Sequence, residues 1–434
     1  MLVFPTPELR RTISLLLCAC LLAVICPRHT SCAIPPEDAY WQLLKSRYDA
    51  SSENYAAALS EEFAIFRSLY PHSAKSDSLE YLAATVYEHQ KNEAAAIASF
   101  LKVSFVYPSS ALIPQTEENL KRLAESKKRG ITAIFSDDNL ALLKRHVLKV
   151  LDEGQTFPGG ERGYLDWIQL VADARIDRLS RYLINECRHY LYRLNYDFQP
   201  DRVCLIMGNM YRMEKKWRNA LIAYRTAEVI EPYGDGVGEA LLGAAEVYLR
   251  ELENYEMARR VYLEVIDKFP AELIAGRASV LISEVDEAEE NYSQAVVQLE
   301  DTAKRFPFVE IRTECYGRIG RIYLDYLNNT QKSLEFYERV VSEFPGETRA
   351  AEVLIKIGGI HEEKTKNYAD AIRAYRRIAE LFPDSPLAPR YLYQAGELAE
   401  DKIKDDELAR SVYRQLAENY PLTDFGEKAS KKLR

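Results

Sequence analysis

Few residues in this 434-residue sequence have the type and spacing to do chemistry. Gly234-Asp-Gly236-Val-Gly238 is rich enough in glycine to cradle a phosphate. A phosphate loop follows a strand, and a dinucleotide loop needs a wider spacing between its second and third glycines. This stretch follows a helical pattern and departs from that spacing, so it reads as a turn. His361-Glu-Glu resembles the start of a zinc-hydrolase helix but lacks the second histidine that would complete the ligand pair. The six histidines are scattered, and no two sit at helical ligand spacing. Asn291-Tyr-Ser293 and Asn328-Asn-Thr330 match glycosylation acceptors, yet asparagine recurs at such positions as turn chemistry. No nucleophile elbow, P-loop or paired-acid motif is present. The expectation is a chain without catalytic residues, cofactor or metal.

Charge and cysteines narrow the class. The formal charge is −9, and Arg10, Arg11, Arg28 and Glu8 hold a net +2 of it, leaving −11 beyond residue 33. An acidic chain does not bind nucleic acid nonspecifically. Four of the seven cysteines (18, 20, 26 and 32) lie in the first 33 residues. The other three, Cys187, Cys204 and Cys315, fall on apolar helical faces and read as buried small hydrophobes. A Cys187–Cys204 disulfide is disfavoured, because the two lie at unequal distances from the turn near Pro200.

The elements that carry these residues repeat. Ala258, Tyr262, Val265 and Phe269 step by 4, 3 and 4, one face of an α-helix, and Pro270 predicts its end at Phe269. The pattern returns as Ala220…Tyr224…Pro232, Ala295…Leu299…Pro307, Ala371…Tyr375…Pro383, Ala409…Tyr413…Pro421 and Ala96…Phe100…Pro108, with Ser333 in the small slot before Tyr337. In all seven copies the small residue lies 12 before the proline, and from Pro232 the prolines step by 37 or 38. A helix precedes each copy and carries a small residue three before an aromatic: Gly208…Tyr211, Ala245…Tyr248, Gly320…Tyr323, Ala84…Tyr87 and, with histidine, Gly358…His361. Asn-Tyr turns at 54, 254, 291 and 367 join the two helices. A fixed period of this size means stacked helix hairpins. Ala258, Ala295 and Ala371 are expected where the paired helices touch most closely.

This combination resembles the tetratricopeptide repeat family over roughly residues 37–108 and 200–421. The resemblance implies an all-α, right-handed superhelical solenoid with an irregular helical segment in the middle. Repeats longer than the usual 34 residues and ending in aromatic-Pro resemble those of bacterial periplasmic and outer-membrane assembly proteins and of Tol–Pal-associated ones.

The chain then divides as follows. Residues 1–33 form an export signal, with Arg10-Arg11, an apolar run from Ile13 to Cys26, and Ser31-Cys32-Ala33 as cleavage site. The rival readings are a lipid on Cys20 in Leu17-Cys18-Ala19-Cys20 and an uncleaved anchor. Residues 34–108 hold two hairpins. Residues 109–198 break the period, with helices expected at about 115–129, 137–153, 162–175 and 177–194. That segment reads as degenerate repeats or as an insertion. Residues 199–421 hold six repeats, and 422–434 a capping helix.

In the family the first helices of the pairs line a concave groove for peptides or proteins. Slot by slot, the resemblance puts Asn209, Arg212, Glu246, Arg250 and Arg321 there, with the three arginines set to grip an acidic segment or chain terminus. The function expected is a non-catalytic envelope scaffold for assembly, export or cell-wall coordination, binding proteins and not nucleic acid. The alternatives are an accessory subunit of a cell-wall lytic enzyme and a cytoplasmic co-chaperone. A lytic enzyme would need a further domain with a catalytic glutamate, and the repeats run almost to residue 434. The apolar leader disfavours the co-chaperone.

Overall fold

A computed structural model describes residues 35–49, 56–126, 138–194 and 198–434. The expected signal, with Cys20, lies outside the described residues, as does Asn54-Tyr55. Every regular element among the described residues is helical. The chain divides into two compact units, Met1–Lys216 and Trp217–Arg434.

The first unit holds α1 (Glu37–Asp49), α2 (Ala56–Leu69), α3 (Ser76–His89), α4 (Glu93–Val106), α5 (Ile113–Glu125), α6 (Asp138–Asp152), α7 (Gly160–Asp173), α8 (Ser180–Tyr192) and α9 (Pro200–Met213). Helix α4 is apolar almost all round, and such a helix must be buried on every side. It is: Ala94 to Val103 are buried without interruption. Helices α3 and α5 pack on it as neighbours, and α7 returns from the irregular segment to pack on it as well. The crossing is close. A Cβ at Gly163 would lie 2.0 Å from the Phe105 carbonyl oxygen, so only glycine fits there.

A charged residue sits inside this apolar helix. Lys102 is 1% exposed. Its ammonium donates to Glu80 of α3 at 2.8 Å and to Glu186 of α8 at 2.7 Å. Arg67 of α2 pairs with both glutamates, and the Tyr164 hydroxyl of α7 donates to Glu186 at 2.5 Å. Trp167 of α7 donates its indole N–H to the Ala98 carbonyl at 2.7 Å. The two cations and two carboxylates are thus neutral as a set and joined by hydrogen bonds, which is the condition for burying charge. Burial alone would raise the Glu186 carboxyl, but Arg67 and Lys102 outweigh it and hold it well below the usual range. Burial, reinforced by Lys102 and Arg67, pushes the nearby His189 down to about 3. Cys187, Cys204 and Cys315 are buried free thiols, and burial raises each of them.

The second unit is serial hairpins. Second helices α10 (Trp217–Ile230), α12 (Tyr255–Lys268), α14 (Tyr292–Arg305), α16 (Thr330–Glu343), α18 (Tyr368–Leu381) and α20 (Asp406–Asn419) alternate with first helices α11 (Val237–Glu246), α13 (Leu273–Ala288), α15 (Val309–Asp325), α17 (Thr348–Ile360) and α19 (Ala388–Leu398). Helix α21 (Asp424–Lys432) closes the array against α20 and α19. Helix α12 ends at Lys268, one residue short of expectation, because Pro270 forces Phe269 itself out of the helical region.

Ala258, Ala295 and Ala371 are fully buried. Close contacts also join glycines of the first helices to tyrosines of the second. An added Cβ would come within 2.5 Å of Tyr337 at Gly320, 2.2 Å of Tyr375 at Gly358 and 2.4 Å of Tyr413 at Gly396. Two of these rings are pinned at the hydroxyl, Tyr375 to Glu362 at 3.0 Å and Tyr413 to Glu400 at 2.9 Å. The inter-helix turns are also built alike. Asn254, Asn329 and Asn367 accept from the backbone N–H three residues on, and Asp405 does the same in the last repeat. Before α21, Thr423 accepts from the Gly426 N–H at 3.1 Å.

Gly358→Ala should destabilise the second unit by about 1–3 kcal/mol, since a pinned ring cannot yield. Gly359→Ala, whose Cβ would meet nothing within 4 Å, should be neutral or stabilising by up to about 1 kcal/mol. Chemical denaturation compares the two. In the first unit, Glu186→Gln should cost about 3–5 kcal/mol by leaving Lys102 and Arg67 short of a buried partner. His189 and Glu186 both have depressed folded values, so the unfolded chain binds more protons in acid and stability falls as pH drops. The histidine loss begins below about pH 6.5 and the glutamate loss below about pH 4.3. Thermal melts from pH 8 to 4 should show the decline, and His189→Gln should flatten its upper part.

Candidate partner-binding surface

The first helices of the second unit are joined to one another by charge. Arg277 of α13 pairs with Glu239 of α11, and Arg349 of α17 with Glu314 of α15. Between them Arg250 reaches Glu284 of α13 at 2.8 Å, Arg318 of α15 bridges Glu284 at 2.8 Å and Glu287 at 3.1 Å, and Arg321 meets Glu287 at 2.5 Å. Most of these partners are 34 or 35 residues apart, so each bond crosses from one repeat to the next. Burial works against the Arg318 guanidinium, but Glu284 and Glu287 more than offset it and raise it. Arg321 is raised in the same way by Glu287. The result is a polar face of matched charge.

Asn209 and Arg212 lie on α9, in the first unit. Glu246 ends α11, Arg250 sits in the wider turn Val247–Glu251 that follows it, and Arg321 is on α15. The structure thus brings Arg250 and Arg321 to adjacent carboxylates of one helix, α13. Sequence reading missed Arg318, Glu284 and Glu287. Their signal was available: opposite charges about one repeat apart, on helices already aligned.

The last repeats add a cleft of about 410 Å³, lined by Glu362, Arg390, Tyr393, Gln394, Glu397 and Phe425 among others. Glu362 accepts from Gln394 at 2.7 Å as well as from Tyr375. Tyr393 and Phe425 face each other with centroids 5.7 Å apart. Burial raises the Glu397 carboxyl. Carboxylates beside aromatic walls suit a cationic side chain carried on an apolar stem. Glu362 and Glu400 both sit in π-helical turns, His361–Thr365 and Ala399–Ile403. The extra residue of such a turn re-aims the side chains of the last helical turn. Among the described residues no group of His, Cys, Asp and Glu could hold a metal, and no helix is long and apolar enough to cross a membrane.

Four stretches of the second unit, residues 239–271, 318–346, 352–385 and 390–423, match the tetratricopeptide repeat family. These are tetratricopeptide repeats. Such repeats are protein-interaction scaffolds, and the family is not a catalytic one. No curated protein matches the chain in sequence. Among solved structures, PilF of Pseudomonas aeruginosa is similar at 17% identity, over 54% of this chain and 97% of that one, with a TM-score of 0.34. The C-terminal part of a tetratricopeptide protein from Cytophaga hutchinsonii is similar at 11% identity, over 62% and 99%, with a TM-score of 0.40. MamA of Desulfovibrio magneticus is similar at 12% identity, over 43% and 97%, with a TM-score of 0.31.

The bonds between repeats differ in worth. Arg318 has a side chain 14% exposed and serves two carboxylates, whereas Arg250 is 60% exposed and serves one. Arg318→Ala should cost about 1.5–3 kcal/mol, and Arg250→Ala less than about 1 kcal/mol. Urea denaturation of the two variants measures the difference.

Proposed function

We propose that this chain is an exported, non-catalytic scaffold of the bacterial cell envelope that holds a partner protein on the first-helix face of its repeats. The observation that carries the reading is that face itself. Its outward side chains are polar, evenly spaced and locked from repeat to repeat, so a partner meets a rigid surface and little ordering entropy is lost on binding. The matched charge favours a partner segment of mixed charge over a uniformly acidic one, with the Glu362–Phe425 cleft receiving a cationic side chain. Export is supported by Arg10-Arg11 and the apolar run to Cys26. Envelope assembly is supported by the aromatic-Pro repeat ends. A lipid on Cys20 would hold the same scaffold at the membrane.

Two measurements test this. Fractionation with N-terminal sequencing should find a mature chain beginning near Ile34 outside the cytoplasm. A full-length cytoplasmic chain would overturn export. Photo-crosslinking residues placed at 250, 321 and 394 on first helices should capture one partner, while those at 335 and 373 on second helices should not. The reverse pattern would overturn the assignment of the face.

A further inference from the structure

Helix α10 is buried on one side by Ala220, Ala223, Tyr224 and Ala227. The opposite side carries large apolar residues in the open. Ile222 is 58% exposed, Val229 79% and Tyr233, just past the helix, 79%. The equivalent two positions within the helix are Arg260 and Asp267 in α12, Glu335 and Ser342 in α16, and Arg373 and Glu380 in α18. Helix α14 keeps one apolar residue there, Val297. The stripe is therefore not a demand of the repeat.

Its order is self-complementary. Arg218, Ile222, Thr226, Val229 and Tyr233 follow one another at steps of four, four, three and four, the spacing of a helix–helix seam. Turned end for end about a point between Arg225 and Thr226, the stripe sets Ile222 on Val229 and Arg218 on Tyr233. The charges follow the same order. Arg218 begins the helix, while Glu231 and Asp235 lie beyond its acidic last turn. That arrangement opposes the helix dipole. Helix α12 obeys the dipole, with Glu256 in its first turn and Lys268 in its last, and α20 opens on Asp406 and Glu407. Glu228 of the last turn is already paired with Arg225 and Lys268, and against an antiparallel copy the Arg218 end of each helix meets the Asp235 end of the other.

We propose that this face of α10 is where a second copy of the chain binds, antiparallel and related by a two-fold axis. The seam buries Ile222 and Val229 of both copies, and Arg218 of each lies over the Tyr233 ring of the other. Lys268 already stands 5.5 Å from that ring's centre and steadies it. This contact lies on a second helix and is independent of the first-helix face assigned to the partner protein.

Sedimentation equilibrium on the purified chain should show a monomer–dimer equilibrium. Val229→Glu should weaken it by roughly tenfold or more, with an unchanged helical spectrum because the side chain is exposed. Oxidative crosslinking of the chain beginning at Ile34 then sets the orientation, since its remaining Cys187, Cys204 and Cys315 are buried. Ile222→Cys mixed with Val229→Cys should give a disulfide-linked pair, and either variant alone should not. A wild-type chain that stays monomeric, a dimer that Val229→Glu leaves intact, or crosslinking by each single variant alone would overturn the proposal.

Discussion

The second unit depends on how closely a first helix can lie on the tyrosine of its own second helix. Gly320, Gly358 and Gly396 each leave room for a ring that any side chain would displace. In one repeat both members of the pair change. Ser283 takes the glycine place in the repeat ending at Pro307, and Leu299 takes the tyrosine place. The aromatic position three residues on becomes Asp286, buried and paired with Arg259 of α12. The repeat tolerates exchange of its chemistry because the volume shared between helices is what must be conserved.

The first unit is held differently. Its two hairpins would leave α4 with an uncovered side, and α7 covers it by crossing at Gly163. Lys102, Glu80, Glu186 and Arg67 then tie α2, α3, α4 and α8 into one neutral set. An ionic core of this kind adds little net energy over an apolar one. It does make the pairing selective, because a helix docked out of place would leave a buried charge without its counterpart. The irregular segment is thereby committed to the second hairpin as a covering, and its helices do not repeat the spacing of those on either side.

Outward chemistry follows from the same geometry. Stacking hairpins at a constant period brings residues one repeat apart within reach of each other, so glutamate and arginine at matching slots pair across repeats. Arg250 and Arg321, attractive in isolation as grips for an acidic ligand, are already engaged by Glu284 and Glu287. What the face offers is order and shape, with the Glu362–Phe425 cleft at its far end.

The sequence by itself determined the hairpins of the second unit: their period, their ends at the prolines, the asparagine turns and the aromatic slots. Each of those rests on contacts within about 40 residues, which a period exposes. It also marked Pro200 as a helix boundary, since backbone conformation is local. Only the tertiary structure decided that α7 returns to α4, that Lys102 lies in a buried ion set with Glu186, and that Arg250, Arg318 and Arg321 are paired. Lys102 and Glu186 are 84 residues apart and belong to no repeat, so no spacing connects them. A lysine in an apolar helix says that a counter-charge must exist, and only packing says which one.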